Sequence, residues 1–256
     1  MQGNLIGTNS TGTVAISNTL GGVAIQNSAN RNTIDQNVIS GNGLNGIIIT
    51  DSGTNANQIT SNKIGTQIDG TSALGNSQNG VLIQAGAGNN IIGGTTANTG
   101  NAIAFNAKGV VVADNTSTGN QILGNSIFNN TGIGIDLNND DITPNGVNPR
   151  TFPNNGQNYP LLLTTSGTNV NGILNSTPNT TYHLEFFASD TTDQGKTLLG
   201  TTNVTTDVNG IATFNSTITA IPAGQVLTAT ATNAISGTSE FSATPGITLT
   251  PTAGAS

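Results

Sequence analysis

The aspartates are the groups in the first 150 residues that could do chemistry, and no glutamate accompanies them there. Glycoside hydrolysis requires two carboxyl groups flanking the scissile bond. Asp51 and Asp114 occupy the same position in a sequence repeat, each five residues after its glycine. Two repeats stacked at the spacing of β-strands would separate them by about 10 Å. Inverting enzymes use about 6.5–9.5 Å, so the expected separation does not favour a glycosidase.

A second group of aspartates follows the last repeat, in a polar and turn-rich segment. Asp136, Asp140 and Asp141 form the only local acidic cluster of the sequence. Calcium takes several oxygen ligands from carboxylates and carbonyls, so the cluster is a candidate calcium site. Its spacing matches no EF-hand loop, and a solvated loop with an Asx-turn explains the same residues. Both interpretations stay open, and calcium is the only cofactor that the sequence suggests.

Other catalytic groups are scarce. The chain has no cysteine and one histidine, His183, which excludes thiol nucleophiles and cysteine-based zinc sites. His183 lies within a strand-like segment, and we expect a surface residue, since acid–base catalysis needs a positioned partner. Lys and Arg total 5, too few for the basic patch that binds nucleic acid. No apolar stretch approaches the roughly 20 residues that span a bilayer.

These sparse groups belong to a repeat that runs from Asn4 to Leu137. One phrase, a glycine followed by alternating aliphatic residues, recurs at 22–25, 46–49, 80–83, 109–112 and 132–135. A second, Asn-x-Ile-x-x-Asn-x-Ile, recurs at 32–39, 57–64 and 120–127. Periods of about 20–50 residues are typical of solenoids, whose short strands bury alternate side chains. The predicted inward residues are Ile34, Ile39, Ile47, Ile49, Ile59, Ile64, Val81, Ile83, Val110, Val112, Ile122, Ile127, Ile133 and Ile135.

Asparagines and inserted loops mark the corners of this repeat. Asn37, Asn62 and Asn125 are predicted corner residues, because Asn tolerates left-handed conformations and its amide can stack on the next coil. A loop at 65–71 has a twin at 7–13, and 89–96 is a shorter variant. The repeat unit is therefore a pair of coils, one looped and one plain. Loops on one side of a solenoid often bind ligands, which suggests glycan binding near Thr8, Thr66 and Thr95.

The repeat resembles a known family. The phrases at 4–13, 90–95, 100–106, 119–129 and 132–137 are similar to those of the right-handed parallel β-helix repeat family, in the superfamily that includes pectate lyases. They are closest to a β-helix module of large bacterial surface and secreted proteins, in which a small β-sandwich follows. The resemblance implies an extracellular or cell-surface location. It does not imply an activity, because this fold hosts enzymes, adhesins and structural fibres.

The second half of the chain changes to alternating strands separated by turns. Strands are predicted at 159–165, 169–174, 181–188, 196–206, 211–218, 225–233 and 239–244. Asn209-Gly210 predicts a hairpin, and Phe152 and Tyr159 are available to seal the core of the β-helix. The expected fold is all-β: a right-handed parallel β-helix (1–148), a linker or cap (149–159), an immunoglobulin-like β-sandwich (160–249) and a tail (250–256).

The function that this reading favours is a non-enzymatic extracellular structural or adhesive module. An uncapped first coil exposes backbone and apolar groups, so Asn4, Leu5, Ile6, Val14 and Ile16 are a candidate assembly interface. Head-to-tail contacts through it would give a filament. The expected partners are other copies, neighbouring domains of the same surface protein, or glycans. The alternatives are a glycan-binding or polysaccharide-degrading protein and a passive spacer in a longer surface protein.

Overall fold

The computed structural model describes residues 1–242. Its N-terminal half consists of fourteen short strands. They are β1 (Leu5–Ile6), β2 (Val23–Ile25), β3 (Thr33–Asp35), β4 (Val38–Ile39), β5 (Ile47–Ile49), β6 (Gln58–Thr60), β7 (Lys63–Ile64), β8 (Val81–Ile83), β9 (Ile91–Gly93), β10 (Ala102–Ala104), β11 (Val110–Val112), β12 (Gln121–Leu123), β13 (Ser126–Phe128) and β14 (Ile135–Leu137). The predicted tail, 250–256, lies outside the described residues.

The fourteen strands form three parallel sheets, and strands that follow one another along the chain belong to the first, second and third sheet in turn. The first sheet has the order β1-β4-β7-β10-β13, the second β2-β5-β8-β11-β14 and the third β3-β6-β9-β12. One pass through the three sheets is a coil, so coil 1 contains β1, β2 and β3, and coil 5 begins with β13 and β14. We call this unit the coil stack. Its stacked parallel sheets are compatible with a β-helix-like solenoid.

Equivalent side chains of successive coils lie above one another in the core. Ile47 of coil 2 pairs with Val23 of coil 1 and with Val81 of coil 3. Every aliphatic residue that the repeat predicts to point inward is buried. The core prediction is therefore confirmed for coils 1 to 4, because alternation along a strand decides which side chains face inward. In the second-sheet strand of coil 5 the core residues are Ile135 and Leu137, and Ile133 is buried outside that core.

The register predicted for the fifth glycine phrase is wrong. Val110 of coil 4 pairs with Ile135 and not with Ile133. The reason is a column of glycines at the start of the second-sheet strands. A Cβ added to Gly109 would lie 2.3 Å from the carbonyl oxygen of Gly134, which only glycine avoids. Gly134 is therefore the fifth member of the column.

Asparagine ladders run along the three corners of the coil stack. In the first ladder, Asn62 Oδ1 accepts hydrogen bonds of 2.9 Å from both the backbone N and Nδ2 of Asn37. The N and Nδ2 of Asn62 donate in turn to Asn101 Oδ1 at 2.9 and 3.0 Å. The first ladder contains Asn4, Asn37, Asn62, Asn101 and Asn125, the second Asn18, Asn42, Asn76, Asn106 and Asn130, and the third Asn32, Asn57, Asn90, Asn120 and Asn154.

The left-handed conformation predicted for the corner asparagines is adopted by the residues that precede them in the chain. Asn37 and Asn62 lie at corners, but neither has a positive φ. The residue before each of them is left-handed: Gln36 has φ 55° and Ser61 has φ 56°. The chain therefore turns one residue earlier, and the asparagine supplies the carboxamide that joins neighbouring coils.

The loops of coils 1 and 3 are short antiparallel arms on the first sheet. Thr8 bridges Ala15 in the first arm, and Thr66 holds the same position in the second. The two arms touch, since Ile68 N donates a 3.0 Å hydrogen bond to Gly12 O. Coil 2 lies between them without an arm, which confirms the alternation of looped and plain coils over this part of the stack.

The C-terminal unit follows a tight turn, Pro153–Gly156, in which Asn154 and Asn155 have left-handed backbone conformations. Its strands are β15 (Leu161–Ser166), β16 (Asn169–Asn175), β17 (Thr181–Ser189), β18 (Thr197–Thr205), β19 (Ile211–Thr217), β20 (Val226–Asn233) and β21 (Gly237–Thr238). They form antiparallel sheets of the order β15-β16-β19 and β18-β17-β20-β21. Buried side chains such as Tyr182, Leu184 and Phe186 form its own core.

Two expectations for the C-terminal unit are wrong. Asn209-Gly210 forms a turn, but it joins β18 and β19, which lie in different sheets. A turn sequence fixes a local reversal and does not decide which strands pair. The seventh strand occupies Gly237–Thr238. Ser239 N and Ser242 N still donate to Ala231 O and Ala229 O of β20, at 3.0 and 2.8 Å, while the side chains of Glu240 and Phe241 between them contact the coil stack. The predicted residues 243–244 lie outside the described part of the chain.

We expect loss of one ladder carboxamide to destabilise the fold strongly. Asn62→Ala leaves buried amide groups of two neighbouring coils without partners, which should lower the free energy of unfolding by about 2–4 kcal/mol. Asn115→Ala is the matched control, because Asn115 is exposed and its substitution should change stability by less than about 0.5 kcal/mol. Denaturant unfolding followed by circular dichroism measures both. Equal stability of the two variants would contradict the ladder's role.

Candidate functional site at the two ends of the coil stack

The C-terminal unit closes one end of the coil stack by continuing its backbone hydrogen bonds. On the first sheet, Ile127 N donates to Gly195 O at 2.8 Å, and Gly195 N donates to Ile127 O at 2.9 Å. On the third sheet, Ile122 N donates to the Thr238 hydroxyl at 2.8 Å. The second sheet ends on the carboxylate of Glu240. Each sheet therefore has a partner from the C-terminal unit at this end.

Aromatic side chains seal the apolar core at the same end. Phe187 and Phe241 belong to the core of the coil stack, and their ring centroids lie 5.6 Å apart in an edge-to-face arrangement. Phe152 packs against the same core, as predicted. Tyr159 is buried outside this core, so its predicted sealing role is wrong. The sequence did not reveal Phe187 and Phe241 because they lie far along the chain, in strands of the other unit.

Oxygen acceptors terminate the asparagine ladders. Gln194 Oε1 accepts from the N and Nδ2 of Asn130, at 3.0 and 3.2 Å. Asn154 Oδ1 accepts from Asn120 N at 3.0 Å. Beside the end of the first ladder, both carboxylate oxygens of Glu185 accept from the N–H of a corner glycine, at 3.0 and 3.1 Å. Donors that would otherwise be buried without partners are satisfied here.

Glu240 is a buried carboxylate held between the two units. It is 3% exposed and accepts hydrogen bonds from Leu137 N at 2.9 Å and Thr143 N at 2.8 Å. Burial raises its pKa to about 7, although these hydrogen bonds oppose the shift, and the nearby charge of Asp136 adds to it. Glu240 therefore titrates near neutral pH at the seal between the units.

The opposite end of the coil stack is open. A hollow of about 370 Å³ lies there, lined by Val23, Ile25, Ala29 and Ile34 among other residues. Val23 is only partly buried, whereas its counterpart in coil 2, Ile47, is fully buried. No described residue covers this part of the core as Phe187 does at the other end.

The predicted assembly residues divide between an edge and an arm. Asn4 begins the first ladder, and Leu5 and Ile6 form β1 at the edge of the first sheet. Val14 and Ile16 are 58% and 65% exposed, but they lie in the coil 1 arm and not in an edge strand. Their role in assembly remains a prediction, as does that of the edge residues.

A lysine occupies the centre of the acidic cluster. Lys108 Nζ contacts a carboxylate oxygen of buried Asp136 and lies 3.0 Å from Asp141 Oδ1. Burial lowers the pKa of Lys108, but the two carboxylates outweigh it and hold that pKa above its ordinary value. The Asp140 carboxylate accepts from Asn138 Nδ2 at 2.9 Å instead. Within residues 1–242 no group of three acidic, His or Cys side chains is arranged around a metal position. Calcium binding stays a prediction that this geometry does not favour.

Asp51 and Asp114, the possible glycosidase pair, accept hydrogen bonds from the backbone of turns. Asp51 Oδ2 accepts from Asn27 N at 2.9 Å, and Asp114 accepts from Ala85 N in the preceding coil and from Thr116 N at 2.9 Å. Burial raises the pKa of Asp114, but hydrogen bonds led by Thr116 outweigh it and hold that pKa below its ordinary value. A general acid needs the opposite shift, so Asp114 is suited to a structural role.

His183 has a partner that the sequence analysis did not anticipate. Its Nδ1 lies 3.0 Å from Asn203 Oδ1, and its Nε2 lies 3.8 Å from Glu185 Oε1. The nearby carboxylate of Glu185 raises the pKa of His183, against the effect of burial. The two residues alternate along β17 and share a face, which the spacing of two positions could have indicated. Glu185 also holds the coil stack, so the pair belongs to the seal.

The three threonines proposed for glycan binding do not form one surface. Thr66 is fully buried and donates to Gln67 O at 3.0 Å, so it is not available to a glycan. Thr8 is half-buried in the coil 1 arm and donates to Asn9 O at 3.1 Å. Thr95 is exposed and follows β9, in the third sheet and not the first. Glycan contact by Thr8 or Thr95 stays a prediction.

A polar groove of about 730 Å³ runs beside the second sheet. Half-buried Leu82 and Phe105 give it apolar surface, and Lys108 lines it. Several lining side chains make no hydrogen bond within residues 1–242, so their polar groups face the groove: Ser77, Gln78, Asn79, Gln84 and Thr131. Its volume falls within the roughly 300–1,000 Å³ of ligand clefts.

Comparison with known proteins does not assign the chain. No protein-family model matches it, and no curated protein is similar enough to count as a relative. Within residues 1–242, no helix has the length and apolar character needed to cross a membrane.

We expect the stability of the protein to fall as pH rises from about 4.5 to 8, through Glu240. Because its pKa is raised from 4.5 to about 7, the folded state binds this proton more tightly than the unfolded state does. The contribution of Glu240 to the free energy of unfolding is fully present below pH 4.5 and is lost as the pH rises past 7. The loss should be about 3 kcal/mol.

Denaturant unfolding across this pH range, compared with Glu240→Gln, isolates the effect. The variant keeps an oxygen acceptor at the seal and has no carboxyl to titrate there. All other titrating groups are common to both proteins. If the free energy of unfolding changed with pH in the same way in wild type and in Glu240→Gln, Glu240 would not be the group responsible.

Proposed function

We propose that the protein is a non-enzymatic structural or adhesive module of an extracellular or cell-surface protein. The observation that carries the proposal is the difference between the ends of the coil stack. Glu185, Gln194 and Glu240 close one end. The other end has an apolar hollow and edge strands, which are ready templates for pairing. A rod with one closed end and one open end suits attachment to a neighbour.

We also infer that the coil stack is a right-handed parallel β-helix of the pectate-lyase-like superfamily. Rotation of the chain through three parallel sheets supports this, as does the strong preference of parallel crossovers for the right-handed sense. The C-terminal unit is inferred to be an immunoglobulin-like sandwich. Its second strand pairs with its fifth and its third with its sixth, as in that fold.

The use of the carboxylates supports a non-enzymatic role. Asp51, Asp114 and Asp136 accept hydrogen bonds from backbone N–H groups of turns. Glu185 and Glu240, the only glutamates of the sequence, hold the two units together. Among these five described carboxylates, none is left free to form the acid and base pair that polysaccharide hydrolysis requires.

Self-association of the isolated chain follows from the open end. In a head-to-tail assembly, the C-terminal unit of one copy would cover the first coil of the next. We expect wild-type protein to associate as its concentration rises, through the surface around Val23. Contacts of this kind that do not close produce filaments.

Light scattering and negative-stain electron microscopy over a concentration series test the association. Val23→Lys places a charge in the hollow and should keep the protein monomeric. Asn115→Lys adds the same charge at an exposed turn of coil 4 and should leave association unchanged. A wild-type chain that stays monomeric at every concentration would remove self-association from the proposal.

Glycan binding in the polar groove is the second candidate. Free carboxamides and hydroxyls beside Phe105 match the hydroxyl groups and apolar faces of a saccharide. A glycan array probed with wild type and Phe105→Ala separates this candidate from the first, and a reducing-sugar assay tests the degrading alternative. A passive spacer role is the outcome in which neither association nor glycan binding occurs.

A further inference from the structure

We propose that the open end of the coil stack docks one more asparagine-cornered coil, supplied by a neighbouring repeat segment and not by a second copy of this chain. The inference rests on the structural role proposed above and names the neighbour. It is carried by three features of the open end: its hydrogen-bonding groups, its hollow and the sheet edges that remain free.

The ladders give the open end a defined polarity. Within each ladder, Oδ1 accepts from the asparagine of the coil on the open side, and the amide donates to the Oδ1 of the asparagine on the closed side. The second N–H of Nδ2 donates back to a backbone carbonyl of the coil on the open side, as Asn62 Nδ2 does to Ile34 O at 2.8 Å. Asn37 Oδ1, for example, accepts from the N and Nδ2 of Asn4, both at 2.9 Å. No donor within residues 1–242 reaches the Oδ1 of Asn4, Asn18 or Asn32. The three exposed corners therefore match a coil that has N–H donors for these Oδ1 atoms and backbone carbonyls for the Nδ2 groups.

The hollow requires an aliphatic partner. In coils 2 to 4, each inward side chain packs between those of the coils on either side. Val23 is only partly buried, Ile25 and Ile34 are each 5% exposed, and all three line the hollow of about 370 Å³. A coil with Ile or Val at the inward positions fills it in the same way that coil 2 packs beneath coil 1.

Two of the three sheet edges remain free. Residues 1–3 already lie along the third sheet, where Asp35 N donates to Met1 O at 2.9 Å and Gly3 N donates to Asp35 O at 3.2 Å. Gln2 pairs in parallel with Asp35. The edges of β1 and β2 have no strand beyond them within the described residues. The docked coil thus adds parallel strands to the first and second sheets.

A second copy of the chain satisfies only part of these requirements. Its coil stack cannot stack on the open end, because the matching face is occupied by Phe187, Gln194 and Glu240. The groups that close that face are oxygen acceptors, and they would meet the Oδ1 acceptors of Asn4, Asn18 and Asn32. The strands of its C-terminal unit could extend one sheet edge, but they present no set of three corner amides. A second copy should therefore bind the open end more weakly than a matching coil does.

The test presents such a coil covalently. Residues 37–61 form a plain coil of this chain, and a copy of them replaces residues 1–3 ahead of Asn4. The junction preserves register, because Asp35 pairs with Gln2 on one side and with Thr60 on the other. The matched control carries Ala in the copy at the positions equivalent to Asn37, Asn42 and Asn57. Hydrogen exchange of the backbone amides of Val23, Ile25 and Ile34 is followed by NMR.

We expect these amides to exchange at least ten-fold more slowly with the asparagine-cornered extension than in the original chain. The alanine-cornered extension should give little of this protection. Equal exchange with the two extensions would overturn the inference. So would exchange in the original chain that slows with protein concentration to the level of the extended chain, because a second copy would then be the occupant. Protection that depends on protein concentration would overturn this inference but support the proposed self-association. The failure of one proposal can therefore be told from the failure of the other.

Discussion

The carboxamide ladder is the interaction on which the rest of the structure depends. A corner turns its backbone N–H towards the next coil, where no strand partner receives it. The Oδ1 of the next asparagine accepts this N–H and the side-chain amide above it, as Asn62 does for Asn37. Buried amides are costly when left without partners. The ladder thus fixes both the position of each coil and the polarity of the stack.

Polarity explains why the two ends differ. At the closed end the ladder donors of Asn130 and Asn120 are accepted by Gln194 and Asn154. Glu185 and Glu240 accept from the neighbouring backbone N–H groups of Gly124 and Leu137. Both glutamates of a charge-poor chain lie at this junction. At the open end the ladders leave acceptors, beginning with Asn4. The low charge of the chain follows the same logic, because neutral amides can be buried in rows without the desolvation cost of ions.

The parts of this fold that were predictable are those encoded locally. Alternating aliphatics identified the inward residues, and repeated asparagines identified the corners. The register of coil 5 was not predictable from alternation, because the close contact of Gly109 with Gly134 O decides it. The seal was missed for a different reason. Phe187, Gln194 and Glu240 read as ordinary residues of another unit, and their role comes only from contacts distant in sequence.

Native-state hydrogen exchange along the coil stack tests the central claim most directly. If carboxamide ladders hold the coils and only one end is closed, the backbone amides of coil 4 should exchange most slowly. Protection should then fall coil by coil towards β2 and β3 of coil 1, because opening of the stack begins at the uncovered end. Equal protection in coils 1 and 4, or greater protection at the open end, would contradict the account.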